Sequence, residues 1–231
     1  MILCDLPYQV TSLKWDKLIP FDLLWKQYER VIKDDGAIVL TATQPFASAL
    51  VMSNPKIFRY EWIWQKTRHT NFLNLKKNPA KKHENILVFY KKLCTYNPQM
   101  EKGEPYIDNR KTKIRNQSAV VTGDALSFGK VNEGWRYPSS IQKFANPNNK
   151  SLHQTQKPVE LFEFLIRTYT NDGAGETILD NCIGSGTTAI ATLNIGGGRN
   201  FIGMEKDLDY CEIANKRIQE TMNIKENYLI L

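Results

Sequence analysis

Asp5-Leu6-Pro7-Tyr8 brings three groups able to grip an exocyclic amine within four residues. The Asp5 carboxylate and the Leu6 main-chain carbonyl can accept the amine's two hydrogens, while the Tyr8 ring can stack on the heterocycle that carries it. Acceptors on both hydrogens favour a pyramidal nitrogen and the positive charge that develops as it attacks an electrophile. No covalent intermediate is required. Pro7 restrains the loop, so the acceptors are preset. Taken alone, the four residues also fit a proline turn with an incidental acid.

A second constellation runs from Asp180 through Gly184, Ser185, Gly186, Thr187 and Thr188, with Glu205 nineteen residues beyond Gly186. Glycines allow close backbone approach and φ angles that side chains forbid, and the helix that follows offers free N–H groups. An acid at the end of the next strand can accept from both hydroxyls of a ribose. This pairing suits a nucleoside cofactor. Gly184-x-Gly186-x-x-Ala189 also fits the loose dinucleotide fingerprint, so an NAD-dependent oxidoreductase and a plain tight turn stay open at this point.

The third feature is charge. Between Lys66 and Lys92 lie eight basic residues against one acid, Glu84, and 8 − 1 equals the chain's whole net charge of +7. Arg68, Lys76, Lys77, Lys81 and Lys82, interleaved with Asn71, Asn74, Asn78 and His83, suit contact with nucleic-acid phosphates and bases; a solvated loop is the plainer alternative. A 42% hydrophobic and 24% charged composition fits a globular core and excludes disordered and fibrous classes. No apolar run approaches the roughly 20 residues of a membrane span, and the absence of a leader predicts a cytoplasmic protein. The four cysteines are scattered without metal-ligand spacing, as reduced thiols are, so no metal is expected.

These groups need a frame. Met1–Cys4 reads as a buried strand that Pro7 terminates, Phe21–Lys33 as a helix, Ala37–Thr41 as a strand and Pro45–Met52 as a short helix. Arg59–Lys66 and Asn85–Tyr90 are β-rich and pair around the basic loop. From about Cys94 to Ser151 glycines and prolines break the pattern. Then come a helix from Pro158 to about Tyr169, a strand at Thr177–Asp180, a helix from Thr187, a strand at Asn200–Met204 and an amphipathic helix from Leu208 to Met222. Strand and helix alternate at both ends, which predicts an α/β fold: one mostly parallel sheet with helices on both faces.

The order of the motifs resembles the β class of DNA amino-methyltransferases, in which a catalytic D-P-P-Y comes first, a target-recognition region follows and D-P-F-x-G-S-G-T-T comes near the end. His153-Gln154-Thr155-Gln156-Lys157-Pro158 is similar to the family's H-P-T-Q-K-P. The resemblance covers nearly the whole chain and implies a circularly permuted, Rossmann-like methyltransferase fold with an irregular insertion. Residues 1–93 would be the catalytic half with its basic DNA-facing loop at 66–92, residues 94–151 the target-recognition region and residues 152–231 the cofactor half. It further implies S-adenosylmethionine as cofactor and double-stranded DNA as substrate. Asp5, Leu6, Pro7 and Tyr8 would grip the extruded base, Asp180, Gly184–Thr188 and Glu205 would hold the cofactor, and Thr155 and Lys157 would lie near its methionine end.

Leu6, Asn181, Cys182 and Gln154 depart from the family pattern, Leu6 loosening the catalytic loop. Family members also carry a further strand and helix before that loop, whereas four residues precede Asp5 here. Asp5 favours adenine N6; members acting on cytosine N4 more often carry Ser. A cytosine C5 enzyme needs an attacking cysteine in a Pro-Cys setting, and Cys4 precedes an Asp instead. A catalytically inactive DNA-binding relic is the remaining alternative. A homodimer is worth testing, and a cognate restriction endonuclease is left open.

Overall fold

The computed structural model describes residues 1–9, 16–108, 130–147 and 156–228. The chain begins with β1 (Ile2–Cys4), α1 (Phe21–Val31), β2 (Ile38–Ala42), α2 (Phe46–Ser53), β3 (Phe58–Lys66) and β4 (His83–Phe89). The short strands β5 (Glu101–Lys102), β6 (Tyr106–Asp108), β7 (Lys130–Asn132) and β8 (Trp135–Arg136) follow. Then come β9 (Ile141–Phe144), α3 (Val159–Tyr169), β10 (Thr177–Asp180), α4 (Thr187–Ile195), β11 (Asn200–Gly203) and α5 (Leu208–Tyr228).

Seven strands form one sheet in the order β11-β10-β1-β2-β4-β3-β9, and β4 alone runs against its neighbours. The sheet is therefore mostly parallel and covered on both faces. Alternation along its central strands sorts side chains into two cores. Ile2 and Cys4, Ile38 and Leu40, and Leu87 and Phe89 pack with Leu24, Trp25 and Tyr28 of α1 and Phe46 and Leu50 of α2. Leu3, Val39, Ile86 and Val88 point to the other core, with Leu161, Phe162, Leu165 and Ile166 of α3 and Ala191 of α4.

Most element types follow the sequence, and two differences lie at boundaries. α1 ends at Val31 because Ile32 takes an extended conformation ahead of the Asp34-Asp35-Gly36 turn. α5 continues to Tyr228, past Met222, since no glycine or proline stops it. The larger difference is β9. It lies inside the stretch that reads as irregular, yet it pairs in parallel with β3 from Ile63↔Ile141 to Lys66↔Phe144 and forms one edge of the main sheet. Four residues are too few for periodicity to register.

Pro98–Pro138 forms a compact unit of its own. Its described part holds two short antiparallel ladders, β5 with β8 and β6 with β7. Lys102 Nζ lies 4.8 Å from the centre of the Trp135 ring, and Gly134 turns the chain between β7 and β8 at φ 92°.

Candidate active site

From β1 the chain crosses to β2 on one side, while β10 leads to β11 on the other. This divergence opens a crevice beyond the carboxyl ends of the parallel strands, the position where α/β sheets bind ligands. Both motif loops emerge there, Asp5–Tyr8 after β1 and Asn181–Gly186 after β10. A cavity of about 980 Å³ is lined by residues of both, together with Glu205, Glu84, Lys66, Lys157, Arg68 and Lys81. That volume is at the top of the roughly 300–1,000 Å³ range of small-molecule sites and suits two ligands side by side.

The Asp5 carboxylate is heavily engaged. Its Oδ1 accepts from the Tyr8 hydroxyl at 2.6 Å and from the Thr41 hydroxyl, and its Oδ2 accepts from Lys157 Nζ at 2.7 Å. Thr41, fully buried near the end of β2, thus joins the Asp5–Tyr8 loop to its neighbouring strand. The Tyr8 ring lies 5.1 Å from that of Phe46, tilted by 32°, and burial raises the Tyr8 pKa well above its ordinary value. Leu6 is only 4% exposed and belongs to the core under α1 and α2. The loosening implied by the missing proline is thereby offset by a packed anchor.

Lys157 is buried and bridges two acids, Asp5 at 2.7 Å and Glu84 Oε2 at 3.5 Å. Glu84 also pairs with Lys66 from β3. The result is a chain of alternating charges, Lys66, Glu84, Lys157 and Asp5, neutral in sum. Burial works to raise the Glu84 pKa, but the two lysines outweigh it and hold the carboxyl below its ordinary value. Burial lowers the Lys66 pKa despite Glu84. In sequence, Lys66 and Glu84 count with the basic loop; in the fold they neutralise each other inside the cavity wall. Glu84 and Thr41 are the functional-site residues that sequence reasoning misses. The register of β4 against β3, Trp64↔Glu84, brings Glu84 there, and the parallel register of β1 with β2, Cys4↔Leu40, sets Thr41 beside Asp5.

At the other loop, Gly186 caps α4 at φ 89°, and a Cβ on it would lie 3.3 Å from Ala214 of α5. Gly184 has φ 51° and donates its N–H to Glu205 Oε2 at 2.9 Å, while Glu205 Oε1 accepts from the backbone of Lys206 and Asp207 at 2.9 and 3.0 Å. Three of four acceptor positions on Glu205 are thus filled, leaving one for a ligand hydroxyl. Asp180 lines the cavity but spends its carboxylate on the loop itself, accepting from Thr188 and from the Cys182 N–H at 3.0 Å. Burial pushes its pKa up to about 6.

Ser185 is buried and held by Arg217 of α5, and Thr187 opens α4 at the cavity wall. Gly186 and Thr188 shape the loop from behind, outside the cavity lining. Asn181, one of the departures, accepts from the Tyr28 hydroxyl at 2.5 Å and so ties the loop to α1. Thr155 lies outside the described residues. Among the described residues no cluster of potential metal ligands occurs.

Between β3 and β4, Lys76, Lys77 and Lys82 are exposed and Lys81 is half-buried. Arg68 donates to the Pro147 carbonyl at 3.0 Å, and its N–H to Asn146 Oδ1 at 2.9 Å, fastening the base of the loop. No described helix is long and apolar enough to cross a membrane.

A family model described as DNA methylase matches residues 1–216. The chain is similar to the type II methyltransferase M1.MboII of Moraxella bovis, 30% identical over 233 residues covering 91% of this chain and 85% of that protein. It also resembles type II methyltransferase M.BglI of Bacillus subtilis, 43% identical over 181 residues, 78% of this chain and 42% of that one. Among solved structures, M1.HpyAVI in complex with SAM superposes with a TM-score of 0.61 at 22% identity, covering 94% of this chain and 87% of the other. The PvuII DNA methyltransferase, cytosine-N4-specific, does so with a TM-score of 0.62 at 13% identity over 96% and 83%.

Proposed function

The chain belongs to the N6/N4 DNA methylase family, and from that premise we propose that it methylates N6 of adenine in double-stranded DNA with S-adenosylmethionine as donor. The observation that carries the reading is the single cavity: the amine-gripping loop after β1 and the glycine loop after β10 line the same space. The residues at the second loop fit the cofactor. Glu205 has one acceptor position left for a ribose hydroxyl, and Gly186, at a φ that favours glycine, shapes the loop from behind against α5. When bound, S-adenosylmethionine supplies an electrophilic methyl group on a sulfonium.

The protein's own part is to hold and orient. Asp5 and the Leu6 carbonyl accept the two hydrogens of the target amine and turn its lone pair outward. Tyr8, braced against Phe46, offers its ring to the extruded base, whose unstacking costs a few kcal/mol. The lysines between β3 and β4 hold phosphates and position the duplex without reading its sequence.

Two features favour adenine: an acid at Asp5, and the resemblance that ties such an acid to N6 transfer. A second reading has support as well, because cytosine presents the same amine beside a ring nitrogen and the cytosine-N4-specific PvuII enzyme shares the fold. Incubating the protein with labelled cofactor and unmethylated DNA, then resolving the nucleosides by mass spectrometry, separates them. N6-methyladenine is the expected product. N4-methylcytosine alone selects the second reading, and no label in either base leaves a DNA-binding relic.

A further inference from the structure

Family resemblance puts Lys157 at the methionine end of the cofactor, yet its ammonium, 6% exposed, already lies between two carboxylates. A third carboxylate would find that charge largely spent. Asp5 has four acceptor positions. The Tyr8 and Thr41 hydroxyls take both at Oδ1 and Lys157 takes one at Oδ2, so one position on Oδ2 remains for one amine hydrogen. Lys157 carries three N–H donors: one serves Asp5, and the 3.5 Å separation from Glu84 is too long for a strong second bond. A vacant acceptor and a spare donor therefore stand 2.7 Å apart in the wall of one cavity.

The Watson–Crick edge of adenine has a matching order, an N6–H donor beside the N1 acceptor; cytosine repeats it with N4–H beside N3. Guanine and thymine reverse it, with a keto oxygen beside a ring N–H. We propose that Lys157 is a base-reading residue that donates to N1 of the extruded adenine while Asp5 accepts from N6. The inference rests on the N6-adenine reading above. A keto base in the same seat would set oxygen against carboxylate and N–H against ammonium, leaving buried groups unpaired. Burial works against the charge on Lys157, but Asp5 and Glu84 outweigh it and keep the pKa above the ordinary lysine value. The donor is thus permanent at neutral pH, and Glu84, braced by Lys66, steadies it from behind.

The test replaces target adenine by 1-deazaadenine, which keeps the amine and lacks the N1 acceptor. Both bases are placed opposite an abasic site, so that differences in pairing drop out. Under single-turnover conditions the unmodified protein should methylate adenine about 10- to 100-fold faster than 1-deazaadenine, the scale of one hydrogen bond to a charged donor. Lys157→Met should lower the rate on adenine and erase the difference, while calorimetry shows cofactor affinity within a few-fold of the parent. Equal rates on the two bases in the unmodified protein overturn the proposal, and this arm needs no variant to fold. So does a Lys157→Met protein that keeps the discrimination, or one that keeps neither discrimination nor cofactor affinity. Failure to methylate adenine in ordinary DNA would instead sink the N6 reading itself.

Discussion

Replacing Asp5 by Ala should damage both stability and chemistry, and a second substitution should repair only the first. In the folded protein Lys157 is buried, with Asp5 at 2.7 Å and Glu84 at 3.5 Å. Deleting the nearer acid leaves an ammonium whose remaining partner is poorly placed. Breaking a buried pair from one side costs roughly 3–5 kcal/mol. Asp5 is 24% exposed, however, so water can reach the gap, and Glu84 retains part of the attraction. Tyr8 and Thr41 lose an acceptor but remain 2.8 Å from each other. A loss of about 2–3 kcal/mol follows, or a fall near 1 M in the urea midpoint at a slope of about 3 kcal/mol/M.

Adding Lys157→Met removes the stranded cation and lets Glu84 pair with Lys66 alone, so the double variant should regain most of that loss. Methyl transfer should fall about 10²-fold or more in Asp5→Ala and stay down in the double variant, since the preorganised acceptor is absent from both. Urea titrations and single-turnover methylation measure the two effects separately. If the double variant is no more stable than Asp5→Ala, the two charges are not coupled as drawn. If either variant methylates DNA at the parent rate, Asp5 is not the acceptor.

Three further outcomes are expected. Glu205→Ala should weaken cofactor binding by about 1.5–3 kcal/mol, roughly 10- to 150-fold by calorimetry, because a ribose hydroxyl loses its acceptor and the Gly184 N–H loses its tether; an unchanged affinity would place the ribose elsewhere. Replacing Lys76, Lys77, Lys81 and Lys82 together should reduce affinity for specific and random duplexes alike and flatten log K against log salt by about 0.9 for each phosphate no longer neutralised, whereas an unaltered slope would make the loop a solvated surface. Asp180 has a folded pKa raised by burial from 3.8 to about 6, so the native state holds its proton longer and this group's stabilisation fades as pH rises through that window. Asp180→Asn should therefore gain on the parent by up to about 3 kcal/mol between pH 4 and 7, and a pH-independent difference would contradict the assignment.

Much of this arrangement is legible in sequence because it is local. Periodicity and breakers mark β1, α1, β2, α3, β10 and α4, and each motif loop sits directly after a strand, so alternation alone sends both to one edge of the sheet. What escapes is what pairing decides. Glu84 reads as the lone acid in a basic run, and its role depends on β4 lying antiparallel between β2 and β3. Lys66 counts in sequence only towards the charge of the basic run, and the fold buries it against Glu84. Resemblance sets Lys157 near the methionine end of the cofactor, and sequence hides Asp5, its nearest acid. Asp180 and Thr188 belong to a loop motif, but the hydrogen bond between them shows that they brace the loop from within.

The distance along the chain between Asp5 and Lys157 also sets when the site can exist. Their contact spans 152 residues, and β1 lies between β2, made soon after it, and β10, made far later. At the roughly 5–20 residues per second of protein synthesis, Asp5 waits about 8–30 s for its counter-charge to be translated. Throughout that interval β1 has one flank without its partner strand and the Asp5 carboxylate lacks its nearest cation. Assembly of the cavity wall is thus a late event in synthesis, and a chain arrested before α3 carries the whole Asp5–Tyr8 loop without β10 beside it.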